Sequence, residues 1–305
     1  MSADSPGPSV GTGATRGPIV WRDREQDGAN VNDSFVEIRP SRGIGKLGLS
    51  ELWRYRDLAY FFVWRDIKVR YKQTIFGGAW AIIQPLVLML VFTFVFGTVL
   101  NVETPPGVPK PLFYYAGLVP WTLFSAAFGG ASASLVGNSS LVQKIYFPRL
   151  ILPISAMGSS LLDFVIALIV VFVMMAAYGI GVSWHILWLP LFTLMALLTA
   201  LTFGLLISAL NARYRDVNYA VPYVLQVLLF VTPLMYSSTQ IPEDVRPWYF
   251  LNPMAGVVEG FRWALIDAAP PPGPMTLVSA AIMLLLLVAG LYYFRNAERT
   301  IADVI

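Results

Sequence analysis

The chain contains no cysteine, and His185 is its only histidine. Disulfides, iron–sulfur clusters and thiolate metal sites are therefore excluded, and an imidazole cluster cannot form. Charge is scarce as well. Only 13% of the 305 residues are Asp, Glu, Lys or Arg, against about a quarter in soluble domains. The net charge of +3 is too slight and too segregated to imply nucleic acid as a partner. What fills the chain is apolar: 56% of residues are hydrophobic and the mean hydropathy is +0.64. A soluble globular enzyme does not fit this composition.

A helix crosses the roughly 30 Å hydrocarbon layer in about 20 apolar residues. Six stretches qualify: Phe76–Leu100, Leu112–Leu135, Ile151–Tyr178, Ile186–Leu210, Tyr219–Met235 and Thr276–Phe294. The expected fold is an all-α polytopic membrane protein with six spans, and an even number puts both termini on one side. Lys and Arg are retained in the cytoplasm. Eighteen of the 21 fall before the first span, after the second and fourth, or after the last. Both termini are thus expected on the cytoplasmic side of the inner membrane. The N-terminus shows no short apolar core with a small-residue cleavage site, so no cleaved signal peptide is expected.

The domain organisation follows from composition. Residues 1–50 are rich in Gly, Pro, Ser and Asp, which predicts a disordered cytoplasmic tail, to which no function is assigned. Residues 51–75 carry Leu52, Tyr55, Ala59, Val63, Ile67 and Tyr71 at helical spacing, with Arg54, Asp57, Arg65, Lys68 and Lys72 opposite. This pattern predicts an amphipathic helix lying on the membrane surface. Arg56, Asp66 and Arg70 interrupt its apolar side, where arginine stems can snorkel to headgroups. Residues 76–300 form the spanning domain.

Energy-coupling chemistry is missing. Gly43-Ile44-Gly45-Lys46-Leu47 lacks the first loop glycine and the Ser or Thr of a phosphate cradle, so the chain is not expected to hydrolyse ATP. Asp163 is the one Asp, Glu, Lys or Arg inside the six stretches, where a proton-coupled carrier displays several. It stands about 18 Å along span three at about 1.5 Å per residue, either as a polar point in a translocation path or as a helix–helix hydrogen bond. Span two holds Gly129, Gly130, Ala131, Ser132, Ala133 and Ser134, small residues that let helices pack closely. Gln84-Pro85 in span one predicts a bend.

The longest outward connection runs from Ser237 to about Gly273, and Val257–Asp267 within it reads as a helix too short and too charged to span. Glu259 and Arg262 stand three residues apart and can pair. A re-entrant helical hairpin between spans five and six is expected. Around it cluster Tyr236, Trp248, Tyr249, Phe250, Phe261 and Trp263, with Phe113, Tyr114, Tyr115 and Trp121 from the first outward loop. Such rings stack on sugars, and equally anchor proteins at the membrane interface.

Trp64-Arg65-Asp66-Ile67-Lys68-Val69-Arg70-Tyr71-Lys72-Gln73-Thr74, Gly78-Ala79-Trp80 and Gln84-Pro85 resemble the opening of ABC-2 type permeases that export polysaccharides and polyol phosphates. Lys144-Ile145-Tyr146-Phe147-Pro148-Arg149, Arg213-Tyr214-Arg215-Asp216-Val217, Thr232-Pro233-Leu234-Met235-Tyr236 and Asn252-Pro253 follow in the family's order. The resemblance spans roughly Glu51 to Glu298. It implies a homodimer with a channel between protomers, docked to two copies of a separate ATPase subunit that binds the ATP and magnesium, with no cofactor in this chain. It further implies that residues 138–149 form the coupling segment, Tyr146 and Phe147 inserting into the ATPase with Lys144 and Arg149 on the rim. Arg54, Arg65, Asp66, Lys68 and Arg70 would frame the same docking site. The channel would draw on Gln84, Tyr114, Tyr115, Trp121, Asp163, Tyr236, Trp248, Tyr249, Phe250 and Trp263, and the cargo would be a polyprenyl-linked glycan such as O-antigen, teichoic acid, capsule or galactan. An exporter of drugs or small lipids shares the fold. A membrane transferase acting on lipid-linked sugars is a third reading, for which Glu243-Asp244 is the only adjacent acidic pair.

Overall fold

The computed structural model describes residues 49–72, 78–145, 147–214 and 216–304. The tail up to residue 48 with its Gly43–Leu47 stretch, residues 73–77, Tyr146 and Arg215 lie outside the described residues. The described residues are all helix and connection, without strands. In chain order the helices are α1 Leu49–Arg54, α2 Arg56–Lys72, α3 Ala79–Phe92, α4 Lys110–Gly137, α5 Ser139–Lys144, α6 Ile151–Ala156, α7 Gly158–Ala177, α8 Leu189–Arg213, α9 Val217–Val231, α10 Arg246–Tyr249, α11 Pro253–Ile266 and α12 Pro274–Val304.

Five segments are long and apolar enough to cross a membrane: Ala79–Val99, Lys110–Gly137, Ile151–Ala177, Trp184–Arg213 and Pro274–Glu298. They coincide with five of the six expected spans. At the fifth expected position stands α9, only 15 residues long. Its early stop has a local cause. Pro233 forces the residue before it out of the helical region, and Thr232 is accordingly extended at φ −90°, ψ 138°. Span one keeps Pro85 inside α3 and continues from Thr93 to Val99 as a π-helical turn. The carbonyl of Gly97 in that turn accepts the ammonium of Lys110 at the start of α4.

Between hydrocarbon-embedded helices the hydrophobic effect supplies little attraction, so association depends on close backbone approach. α4 provides it. The helix is buried along most of its length and packs against α3, α7, α8 and α11. Gly130 lies where a Cβ would stand 3.2 Å from the carbonyl oxygen of Ala156, and Gly204 of α8 where one would stand 2.5 Å from the Cβ of Ala131. The run of small residues is thus the packing surface of the central helix.

A second apolar cluster closes the end of the bundle that carries the basic connections. Phe62 of α2, Leu135, Val142, Phe147, Ile151, Leu152, Leu205 and Phe294 meet there. The expected surface helix is split by a turn at Tyr55, which leaves Leu52 and Tyr55 against this cluster along with Leu58 and Ala59.

Gly204→Leu is expected to lower stability by about 1–3 kcal/mol through overpacking, with Ala131→Gly restoring part of it. Thermal unfolding of the purified chain in one detergent measures both.

Candidate functional site

Asp163 of α7 does not face hydrocarbon alone. Arg70 at the end of α2 places Nη2 2.8 Å from Oδ2 of Asp163, and the Tyr71 hydroxyl donates to Oδ1. Consecutive residues of one helix thus satisfy both oxygens of the carboxylate. Burial, reinforced by the carboxylate it donates to, pushes the Tyr71 hydroxyl above the ordinary phenol range, while Arg70 opposes the shift. The phenol therefore remains a neutral donor. Of the two roles open to Asp163, the interhelical bond is present, and its partner is α2 rather than another span.

This trio lines one side of a cavity of about 320 Å³. Trp80, Gln84 and Pro85 of α3, Thr122 and Ser125 of α4, Ser160 of α7 and Leu225 of α9 contribute to its wall, with small and apolar side chains filling the rest. Hydroxyl, amide, indole and guanidinium groups here converge between helices that are otherwise apolar. Gln84 was foreseen. Thr122, Ser125 and Ser160 join it without a motif to mark them, although the three-residue spacing of Thr122 and Ser125 puts these two on one helix face.

The interface-helix residues are divided. Arg54 is exposed. Arg65 binds Asp66 at 2.8 Å with its guanidinium 5.0 Å from the Phe62 ring centroid, and Lys68 lies 5.2 Å over Trp64. In the connection after α4, Lys144 and Ile145 are exposed, Ile145 to 56%. Tyr146 lies outside the described residues. Phe147 differs from expectation: it is buried, 6.1 Å from the Phe62 ring, because this chain's own cluster supplies its apolar surroundings. It is not free to insert into another subunit in this conformation. Pro148 is partly buried, and Arg149 is tied to Glu298 of α12.

At the far end the aromatics also separate. Tyr114 and Tyr115 are fully enclosed, and Trp121, Phe250 and Trp263 nearly so. Trp121 packs on Phe124 at 5.4 Å, and Trp263 is stacked by His185 at 4.3 Å. Tyr114, Tyr115, Trp121 and Trp263 belong to the core, since α4 and α11 turn them inward, and Phe250 is buried in the connection before α11, so the faces of all five are not available to a ligand in this conformation. Tyr236 and Tyr249 are half-buried and meet edge-on. Trp248 is 72% exposed.

α11 holds the group that orders this end. After α9 stops, the carbonyls of Pro233, Leu234 and Tyr236 have no helical partner. Arg262, wholly buried, donates to them at 2.7, 2.7 and 3.1 Å. Its charge is met by Glu259 at 3.2 Å, which also accepts the Ser238 hydroxyl at 2.9 Å. The guanidinium carbon sits 3.8 Å from the Phe113 ring centroid. The spacing of Glu259 and Arg262 showed that they could pair; the three carbonyls come from a segment nearly 30 residues away and left no local signal.

Five helices long and apolar enough to cross a membrane mark the chain as a multi-pass membrane protein. The family profile of ABC-2 type transporters matches residues 58–266, and the chain belongs to that family. It is 30% identical over 255 residues to the O-antigen export system permease protein RfbA of Myxococcus xanthus, covering 83% of this chain and 97% of the relative. An RfbA of Klebsiella pneumoniae is 29% identical over 207 residues, 68% of this chain and 79% of the relative. The polysialic acid transport protein KpsM of Escherichia coli is 26% identical over 239 residues, 77% of this chain and 91% of the relative.

Arg262→Met is expected to cost about 3–5 kcal/mol, because it strands Glu259 and three carbonyls. Arg262→Lys keeps the charge without the planar fork and should recover only part. Unfolding midpoints of the three proteins in the same detergent give the order.

Proposed function

We propose that this chain is the permease subunit of an exporter that moves a polyprenyl-linked polysaccharide across the cytoplasmic membrane, through a channel between two copies of the chain. The energy comes from two copies of a separate ATPase subunit. The observation that carries this reading is the cavity at Arg70, Gln84 and Asp163. Its hydroxyl and amide groups offer hydrogen bonds to hydroxyl-rich cargo beside the Arg70–Asp163 ion pair, in a wall that otherwise offers hydrocarbon. The names of the relatives, for O-antigen export and polysialic acid transport, agree in cargo class.

The cavity is flanked by faces suited to a second copy. Val87, Leu90 and Phe94 along the first span, and Tyr219, Tyr223 and Val227 along α9, are exposed at spacings of three to four residues. An α9 that is short for a bilayer gains from lying against protein rather than lipid. The basic connections then face the cytoplasm with both termini, α9 serves as the fifth span, and α11 closes the outer end as the re-entrant element. α2 lies at the membrane surface with Tyr60 and Trp64 exposed. The exposed tip at Lys144 and Ile145 becomes the ATPase contact, and the outer sugar contact narrows to Trp248 with Tyr236 and Tyr249.

Depleting the protein in its host and measuring polyprenyl-linked glycans by mass spectrometry tests the reading. A full-length polymer should accumulate in the cytoplasmic leaflet. Unchanged glycans would turn the assignment to a small-molecule exporter, and lost polymer synthesis to a transferase. Ile145→Asp should lower export about tenfold or more by placing a charge in the docking contact, with normal unfolding of the isolated permease. Trp248→Ala should slow export about threefold in a complex that still assembles; unaltered export would remove Trp248 from the cargo path.

A further inference from the structure

Energy delivered at the connection after α4 has to reach the cap formed by α11, at the opposite end of the bundle. We propose that α12 is the rod between them, and that Glu298 is the positioning residue that joins the rod to the docking segment. The proposal rests on the export reading above and names a route that reading leaves open.

At the basic end the join has three parts. Glu298 Oε1 accepts the backbone N–H of Arg149 at 3.1 Å. The Arg149 guanidinium donates in return to the backbone carbonyl of Glu298. One turn earlier on α12, Phe294 is fully buried in the cluster that holds Val142 and Phe147 of the same segment. A displacement of the segment therefore pulls on α12 through two hydrogen bonds and a packed ring.

At the far end the join is different in kind. Ser279 of α12, with no exposed surface, donates its hydroxyl to the carbonyl of Phe250 at 2.7 Å, in the connection that leads into α11. The two helices also touch directly, since a Cβ on Gly256 would stand 2.8 Å from that of Ser279. Ser279 and Glu298 are separated by about 28 Å at about 1.5 Å per helical residue.

The stiffness of α12 distinguishes it from its neighbours. It runs unbroken from Pro274 to Val304 with proline only at its first position. α3 contains Pro85 and runs into a π-helical turn, α4 contains Pro120, and α6 and α7 are separated at Met157. α8 is also unbroken, but it is α12 that is hydrogen-bonded to Arg149 at one end and to Phe250 at the other. Motion applied to a bent helix is absorbed at the bend, whereas an intact one transmits it.

The absence of native cysteine makes the test direct. Leu251, 46% exposed and next to Phe250, is replaced as Leu251→Cys. The full permease–ATPase complex in lipid nanodiscs is labelled with a membrane-impermeant maleimide, nucleotide-free and after trapping with ATP and vanadate. The parent should label at different rates in the two states. Adding Glu298→Ala should shrink that difference about fivefold while ATP hydrolysis continues. Glu298→Gln, which keeps the accepting oxygen, should restore it. Ser279→Ala breaks the other end and should give the same loss, and it decides the matter if Glu298→Ala does not assemble. A full nucleotide-dependent difference in either alanine variant overturns the proposal. No difference in the Leu251→Cys parent also overturns it, by removing the motion to be carried, and leaves export itself to the glycan measurement.

Discussion

Arg262 is the group on which the far end of this protein depends. A backbone that leaves helical geometry inside a bilayer has no water to turn to, and each unsatisfied carbonyl costs several kcal/mol. The chain leaves helical geometry at Thr232. One buried guanidinium, with its five donors in a fixed plane, takes three of the released carbonyls, and Glu259 neutralises the charge that this places in the core. The irregular segment after α9 is thereby satisfied without water, and α11 is held against it.

The same constraint explains why polar groups elsewhere are gathered rather than scattered. Asp163 is tolerable because Arg70 and Tyr71 reach it from a helix that is not itself a span. That reach also anchors α2 to α7 and leaves a cavity with mixed lining beside α3 and α9. The structural pairing and the polar wall of the cavity are thus the same set of atoms, and it is this wall along which hydroxyl-rich cargo is proposed to pass. The central helix α4 makes this affordable in geometry, since its small residues let α8 and α7 approach closely while Thr122 and Ser125 face the cavity.

The two ends of the bundle are built on different principles. The basic end is an aromatic and aliphatic cluster that draws in Phe147, so that the connection after α4 is part of the fold rather than a loose appendage. The far end is a hydrogen-bonded cap around Arg262. α12 touches both, through Glu298 and through Ser279. α12 thus spans from the cluster that holds the connection after α4 to the cap around Arg262.

Much of this was legible in the residues. Apolar run length, a property of composition, identified five spans within a few positions and the place of α9 as well. The small residues of α4 announced close packing, and the Glu259–Arg262 spacing announced a pair. Burial was not legible. An aromatic beside a connection looks the same whether it faces a channel or a core, and only the packing of α4 against α11 turned Tyr114, Tyr115 and Trp121 inward. Phe147 went the same way, because Phe62 of α2 lies beside it.

The sequence by itself thus determined that this is a helical multi-pass membrane protein of the ABC-2 type, since helical periodicity, run length and short ordered motifs are local properties of the chain. Tertiary structure decided which charges meet. Arg70 and Asp163 are 93 residues apart, and the carbonyls that Arg262 binds precede it by 26 to 29 residues. Contacts over such separations are set by how helices cross, which no local pattern encodes.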